Sequence, residues 1–507
     1  MSLENLSKID LFAAALGLYV LYRYLSTSSK SPLPPGPRGL PIIGNVADMP
    51  SKKDWLTFAE WGRKYGGICS VKLFGQPMII INSAEIMSEF EGAKYSDRPV
   101  LEMGGELLGY KDTLVLLRYG SRFRTFRKYF ANHYGPLPME KHLLTIENET
   151  HRFLKRQLAH PDTLEPNLRK LAGGVIMKLT YGYTVEEGED PYVNLIEGAN
   201  SNFNAATVPG AFLVDSFPSL RQLPEWLPGM GFMETARRWL KDTMDMVDVP
   251  FAFTKKEIAA GTAPPSFVAD VLQDEHLKLT EEQERDVAFT ASSMYGGGAD
   301  TTVSAEYAFF LAMVLFPDVL KKAQEEIDTV IGNDRLPTIS DRSQLPYVSA
   351  LVLEVLRWNS VIPTGIPHTA SEDSVVNGYF IPKGSLIVTN LWAMLHDPET
   401  YPDPFVFRPE RHIATPGKPV EKDPRTICFG YGRRICPGMH LAEASIFSCI
   451  SRSLAVFDIK KAVENGVEIT PVHENTTGTM SYPEAYKCSV KPRSEKAVAL
   501  IAQEYHF

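Results

Sequence analysis

Phe429-Gly430-Tyr431-Gly432-Arg433-Arg434-Ile435-Cys436-Pro437-Gly438 places one cysteine in a glycine-rich turn, two residues after an arginine and just before an apolar helix. Gly432 and Gly438 are free to take positive φ and to let a bulky planar group lie against the backbone. Successive backbone N–H groups in such a turn can point at the sulfur and favour its thiolate form. Arg434 adds a fixed cation suited to a carboxylate. The plainer reading is a buried cysteine in an ordinary turn, where most lone cysteines belong. Against it stands a complete match to F-x-x-G-x-R-x-C-x-G, carried by Phe429, Gly432, Arg434, Cys436 and Gly438.

A thiolate held in this way is an axial ligand for haem iron, and it pushes electron density toward O–O cleavage. On these residues the chain resembles the cytochrome P-450 superfamily of haem-thiolate monooxygenases. The resemblance runs in family order from about residue 32 to about residue 494. It implies a mainly α fold: a large helical domain, a smaller β-rich domain and an N-terminal membrane anchor. It also implies haem b (iron protoporphyrin IX) as cofactor, with Cys436 as the metal ligand.

Composition agrees with a large folded enzyme. The 507 residues are 44% hydrophobic and 22% charged, which excludes a disordered chain. A net charge of −9 argues against nucleic acid as the main partner. The five cysteines, at 69, 428, 436, 449 and 488, form no paired or metal-spaced framework, which fits a reducing compartment.

Residues 11–22, LFAAALGLYVLY, are an unbroken apolar run followed by Arg23, Lys30 and Arg38. The run is short for a span, and its length also suits a cleaved signal peptide. Arg23 and Tyr24 stand where a cleavage site needs small residues, and the positive charges favour a cytosolic downstream chain. The reading is an anchor over 1–25, a proline-rich hinge over 26–38 and a catalytic domain over 39–507. The hinge, SPLPPGPR at 31–38, is stiff and extended because its prolines fix φ and remove donors.

Patterning predicts two strands in 68–82 and more in 375–390. It predicts helices near 139–159, 166–182, 232–259, 281–316, 317–331 and 346–358. The segment 281–316 contains Gly296-Gly297-Gly298-Ala299-Asp300-Thr301-Thr302. Each glycine inside a helix costs about 1 kcal/mol relative to alanine, so stability is given up here for another purpose. Thr301 can divert a local carbonyl and open a groove, kinking the helix. Asp300 and Thr301 can then relay protons, the catalytic pair expected here. Glycines alone would suit a helix–helix contact, with Asp300 merely exposed. The full stretch resembles the superfamily's [AG]-G-x-[DE]-T-[TS].

Glu354 and Arg357 stand three apart on one helical face, matching the superfamily's E-x-x-R, and Arg411 is the third partner. A buried Glu354–Arg357–Arg411 network would brace the cysteine loop. Here His412 follows Pro409-Glu410-Arg411, where an aromatic is usual. The haem propionates need cations and donors, for which Arg434, Arg127 and His368 are the candidates. Arg127 lies in a stretch resembling W-x-x-x-R, but Phe123 replaces the tryptophan and brings no N–H.

Arg122, Arg124, Lys128, Arg425 and Arg433 suggest a basic face for an acidic electron donor. No dinucleotide fingerprint is present, so the resemblance implies an NADPH–cytochrome P-450 reductase, with cytochrome b5 as a second donor. By resemblance, the substrate side includes the 100–118 loop, residues 206–212, Met294, residues 362–366 and Thr479-Met480. Leu107, Leu108, Leu114, Val115, Leu116 and Leu117 would form a greasy wall. The chain looks most similar to fungal microsomal members of the O-methylsterigmatocystin oxidoreductase type. That likeness rests on PGAFLVD at 209–215 and KPRS at 491–494. The expected activity is hydroxylation or epoxidation of a hydrophobic small molecule by O2, in fungal secondary metabolism or xenobiotic oxidation. The enzyme would sit on the endoplasmic reticulum membrane and face the cytosol. A haem-thiolate isomerase or dehydratase, or a non-catalytic haem or ligand carrier, are the rival classes.

Overall fold

The structure, a computed structural model, describes residues 31–208 and 210–503. The principal helices are α1 (Ser121–Tyr134), α2 (Leu143–Ala159), α3 (Leu164–Tyr181), α4 (Pro191–Ala206) and α5 (Phe232–Ala260). They continue with α6 (Glu281–Leu315), α7 (Pro317–Val330), α8 (Pro346–Trp358) and α9 (Met439–Val456). The long helices predicted from patterning all appear; α1 was expected only through its likeness to the W-x-x-x-R helix, and α4 was not predicted, because glycine and asparagine blur its apolar stripe.

The central element is α6. Thr280 caps it in a reciprocal capping box with Gln283, and Glu281, Glu282 and Glu284 complement the dipole in the first turn. Beyond that turn its side chains are buried on nearly every face, as befits a helix apolar all round. It packs on α3 and α9 and carries the glycine stretch into the core. Pro317 and Pro346 each occupy the first turn of a helix, where a missing N–H costs nothing.

The β-rich part is small. Strands β1 (Ile68–Leu73) and β2 (Gln76–Ile81) form a hairpin. Strand β2 then runs parallel to β6 (Leu386–Thr389), which pairs antiparallel with β3 (His368–Thr369). A second hairpin joins β4 (Ser374–Val376) to β5 (Tyr379–Ile381) through Asn377 and Gly378, both at positive φ. Near the C-terminus, β7 (Phe457–Glu464) is flanked by β8 (Val467–Ile469) and β9 (Cys488–Pro492).

The proline strap is extended as expected, yet it is docked. Pro35 accepts from the Ser70 N–H at 2.9 Å and Pro32 from the Phe380 N–H at 2.7 Å, tying the strap to β1 and β5. The apolar run at 11–22 lies outside the described residues. Among the described residues no single helix is long and apolar enough to cross a membrane.

Glu354, Arg357 and Arg411 meet as expected and are fully buried. Arg357 donates to both Glu354 oxygens at 2.8 Å, and Arg411 Nε to Oε1 at 3.1 Å. His412 joins them: its Nε2 lies 3.0 Å from Glu354 Oε2. A polar side chain thus replaces the usual aromatic by adding a hydrogen bond. Burial works against the charge on Glu354, but the bonds from Arg357 and His412, with the Arg357 and Arg411 charges, bring its pKa down to about 2.

Candidate active site: a cysteine loop facing a glycine groove

Phe429 follows the short helical turn Arg425–Cys428, and the chain then doubles back with Gly430 at φ 75° and Gly432 at φ 58°. A Cβ on Gly432 would lie 2.8 Å from the Glu91 Cα and carbonyl oxygen, so glycine is required there. The Cys436 N–H donates to the Phe429 carbonyl at 2.8 Å and sets the cysteine just before α9. Gly438 differs from expectation. It is the N-cap of α9 at φ −93°, and what it offers is an N–H turned toward the sulfur. Burial pushes the Cys436 thiol up, while that N–H and the Arg127 cation pull it back.

A cavity of about 350 Å³ runs from this loop to α6. Phe429, Cys436 and Gly438 line it on the loop side; Gly297 and Thr301 line it on the helix side. A Cβ on Gly297 would meet nothing within 4 Å, whereas one on Gly298 would meet Ile176 Cδ1 at 2.8 Å. One glycine therefore opens a groove and its neighbour serves helix packing. Thr301 Oγ1 donates to the Gly297 carbonyl at 2.9 Å. The expected kink is absent as a break: α6 runs continuously, and the groove comes from missing side chains.

Asp300 and Thr301 are adjacent in sequence but face different surroundings. Thr301 lines the cavity; Asp300 does not. The Asp300 carboxylate accepts from Arg169 Nη1 at 2.9 Å and from Asn200 Nδ2 at 3.2 Å. Arg169 also donates to Glu165 at 2.9 Å and lies over the Tyr482 ring. Neither Arg169 nor Asn200 was singled out from sequence, since the pairing spans three helices and has no local signature.

Three arginines border the cavity: Arg98, Arg127 and Arg434. Arg127 donates to the Ile435 carbonyl at 2.6 Å, and Arg434 to those of Ser96 at 2.8 Å and Leu117 at 2.6 Å. Arg98, missed from sequence, donates to the carbonyls of Val115 at 2.8 Å and Ile366 at 2.6 Å. Among the described residues, none of the three has a carboxylate within ion-pair distance. Burial lowers Arg434 to about 10; burial and the Arg434 charge lower Arg98 to about 9. Three cations whose charge is only partly relieved by carbonyl dipoles suit the two carboxylates of a haem. The site therefore fits that group.

His368 lines the same end, its Nδ1 3.3 Å from the Tyr431 hydroxyl. Burial, with the Arg98 and Arg434 charges, drives its pKa down to about 2, so among the cations and donors expected here it takes the part of a neutral donor or acceptor. Phe123 offers no N–H, as expected, but the Arg434 guanidinium stacks 4.0 Å from its ring centre.

The predicted greasy wall is only partly correct. Leu114 and Val115 line the cavity, while Leu107, Leu108, Leu116 and Leu117 fill core or a separate crevice. Met294, Ile362, Ile366, Thr479 and Met480 line it as expected. Among the described residues, 206–208 and 210–212 do not; Asn200, Phe203 and Asn204 of α4 take their place. The basic face shrinks too. Arg122 pairs with Asp112 and Asp286, and Arg425 with Asp423 and Glu443. Arg124, Lys128 and Arg433 stay exposed, Arg433 bonding only the Tyr119 hydroxyl.

The family model described as Cytochrome P450 matches residues 34–489. Cytochrome P450 monooxygenase 208 of Postia placenta is 51% identical, covering 96% of this chain and 94% of its own length. Cytochrome P450 monooxygenase claR of Ampulloclitocybe clavipes is 46% identical over 97% and 93%. Cytochrome P450 monooxygenase CLM2 of Gibberella zeae is 42% identical over 96% and 94%.

Proposed function

The chain belongs to the cytochrome P450 family, and from that premise we propose how its own residues carry out monooxygenation of a hydrophobic small molecule. It is an oxidoreductase of the monooxygenase class, and haem b with a cysteine thiolate ligand is its cofactor. One observation carries the assignment of roles. A single cavity has Cys436 on one element, the Gly297–Thr301 groove on another, and three uncompensated arginines at its border.

When bound, haem b supplies the activation of dioxygen and the transfer of one oxygen atom to substrate. Cys436 provides the thiolate. Arg98, Arg127 and Arg434 hold the two propionates, and His368 contributes as a neutral hydrogen-bonding group. Gly297 leaves room at the backbone of α6. Thr301 presents its hydroxyl there, while the Asp300 carboxylate takes up and passes on protons arriving by way of the half-exposed Glu165–Arg169 pair. The apolar wall excludes water and orients substrate by shape.

Electrons come from an NADPH–cytochrome P450 reductase, with cytochrome b5 as a second donor. Exposed Arg124, Lys128 and Arg433 beside the cysteine loop support docking of an acidic partner. We place the enzyme on the endoplasmic reticulum membrane through residues 1–25. Support comes from an exposed apolar face formed by Ile42, Phe74, Leu213 and Phe217. The Phe74 and Phe217 rings meet at 5.2 Å, and Phe74 donates its N–H to Ile43, so the face is continuous near the strap.

The test is spectroscopic. Reduced, haem-loaded protein under carbon monoxide should show the red-shifted Soret band of thiolate ligation. Cys436→His should lose that band while retaining haem. A folded, haem-loaded wild-type protein without the band would overturn the assignment of Cys436.

A further inference from the structure

The cavity holds more polar side chains than a purely apolar substrate needs, and most of them are already engaged. Thr113 donates to the Tyr110 carbonyl at 2.7 Å, Ser293 to the Phe289 carbonyl at 2.6 Å, and Asn200 to Asp300. Asn204 is different. It lines the cavity one turn beyond Asn200 on α4, and its Oδ1 is shut off from solvent without a hydrogen-bond partner among the described residues. A buried polar atom left unpaired is costly, so a ligand that satisfies it gains accordingly.

A second group converges on the same place from another segment. Thr479 lines the cavity, and its Oγ1 lies 3.4 Å from Thr207 Oγ1. Thr207 spends its own proton on the Phe203 carbonyl at 2.9 Å, so Thr479 is the donor of that pair. The Thr479 oxygen keeps lone pairs free to accept, like Asn204 Oδ1. Two acceptors therefore await a donor. If the Asn204 amide turns over, it presents N–H₂ instead; a hydroxyl then accepts from Asn204 and gives its one proton to Thr479, whereas in the first orientation that proton goes to Asn204 Oδ1. Among the described residues the cavity lining contains no aspartate, glutamate or lysine, and its three arginines border the propionate end. An ammonium or carboxylate substrate finds no counter-ion there.

We propose that Asn204, assisted by Thr479, is a specificity-determining residue and that the substrate is a neutral lipophilic alcohol or phenol whose hydroxyl bonds this pair. The proposal rests on the monooxygenase reading and supplies its substrate class. Asn204 lies about 6 Å along α4 from Asn200, the residue that touches Asp300. The hydroxyl is thus an anchor set apart from the oxygen groove, and the carbon oxidised is a different one.

Matched ligands test this on full-length, haem-loaded protein: 4-phenylphenol against biphenyl, and 1-adamantanol against adamantane, titrated by calorimetry and by spin-state shift. Wild type should bind each alcohol about tenfold more tightly than its hydrocarbon, the ratio one ordinary hydrogen bond produces. Asn204→Leu should bring the ratio close to one, with the hydrocarbon held at least as tightly as before. Thr479→Val should reduce the ratio about threefold. Both variants should keep the wild-type thermal midpoint and carbon monoxide spectrum, which separates lost recognition from lost fold. Equal binding of alcohol and hydrocarbon by wild type, or a tenfold ratio surviving in Asn204→Leu, overturns the proposal. Loss of the thiolate band would instead overturn the monooxygenase roles, leaving the calorimetric ratio to decide the anchor separately.

Discussion

Asp300 is a carboxylate held by one cation and one amide, and the proposed relay asks it to exchange those partners. Arg169 and Asn200 hold it beside the cavity wall, one residue from the Thr301 hydroxyl. Removing the cation should therefore alter proton supply without touching the pocket. We expect Arg169→Met to fold and load haem normally, to lower the coupling of oxygen consumption to product several-fold, and to shift the pH dependence of turnover. Thr301→Ala should uncouple at least as strongly, since the hydroxyl itself lines the cavity. Product yield per oxygen consumed checks both, and unchanged yields in the two variants would remove this pair from the relay.

At the scale of the element, α6 shows why a motif can be read correctly and its geometry misjudged. The glycine triplet signals that room is needed, but sequence cannot say which glycine supplies it. Gly297 faces open space and Gly298 abuts Ile176, because successive residues lie about 100° apart around a helix. Gly297→Ala should therefore raise helix stability by up to about 1 kcal/mol while narrowing the groove. A higher thermal midpoint with reduced turnover is the expected result; a variant unchanged in both would show that the groove is not limiting. Similar logic explains the other differences. The cysteine loop was legible because its chemistry is local, from Phe429 to Gly438. The brace of Glu354, Arg357 and Arg411 was legible because two members share a helix face. Arg98 and Arg169 were not, because their partners arrive from distant segments, and Asn204 was not, because no periodicity or motif marks it. His368 was legible as a candidate contact to the propionates, but its charge was not, because burial and two neighbouring arginines lower its pKa.

For the whole molecule, the buried ionic brace sets the acid limit. Glu354 has its pKa lowered to about 2, so its contribution to stability is complete above the ordinary glutamate range near 4.5. It is lost as pH falls from there toward 2. Acid unfolding followed by circular dichroism should develop within that window. His412→Phe removes one of the bonds that lower the pKa, so its transition should begin at higher pH; coincident curves would show that the histidine bond is not felt. The large helical part and smaller β-rich part were both foreseeable from the order of helices and strands along the chain. The docking of the strap was not, because proline-rich sequence specifies stiffness without naming a partner surface. Pro32 and Pro35 are hydrogen-bonded to β5 and β1, and a Cβ on Gly36 would lie 1.9 Å from the Ser70 carbonyl oxygen. The heading with which the polypeptide departs from the body toward residue 30 is thus moulded by two sheets. The first described residues are therefore aimed by their contacts with the body, and proline stiffness alone would have left that direction open.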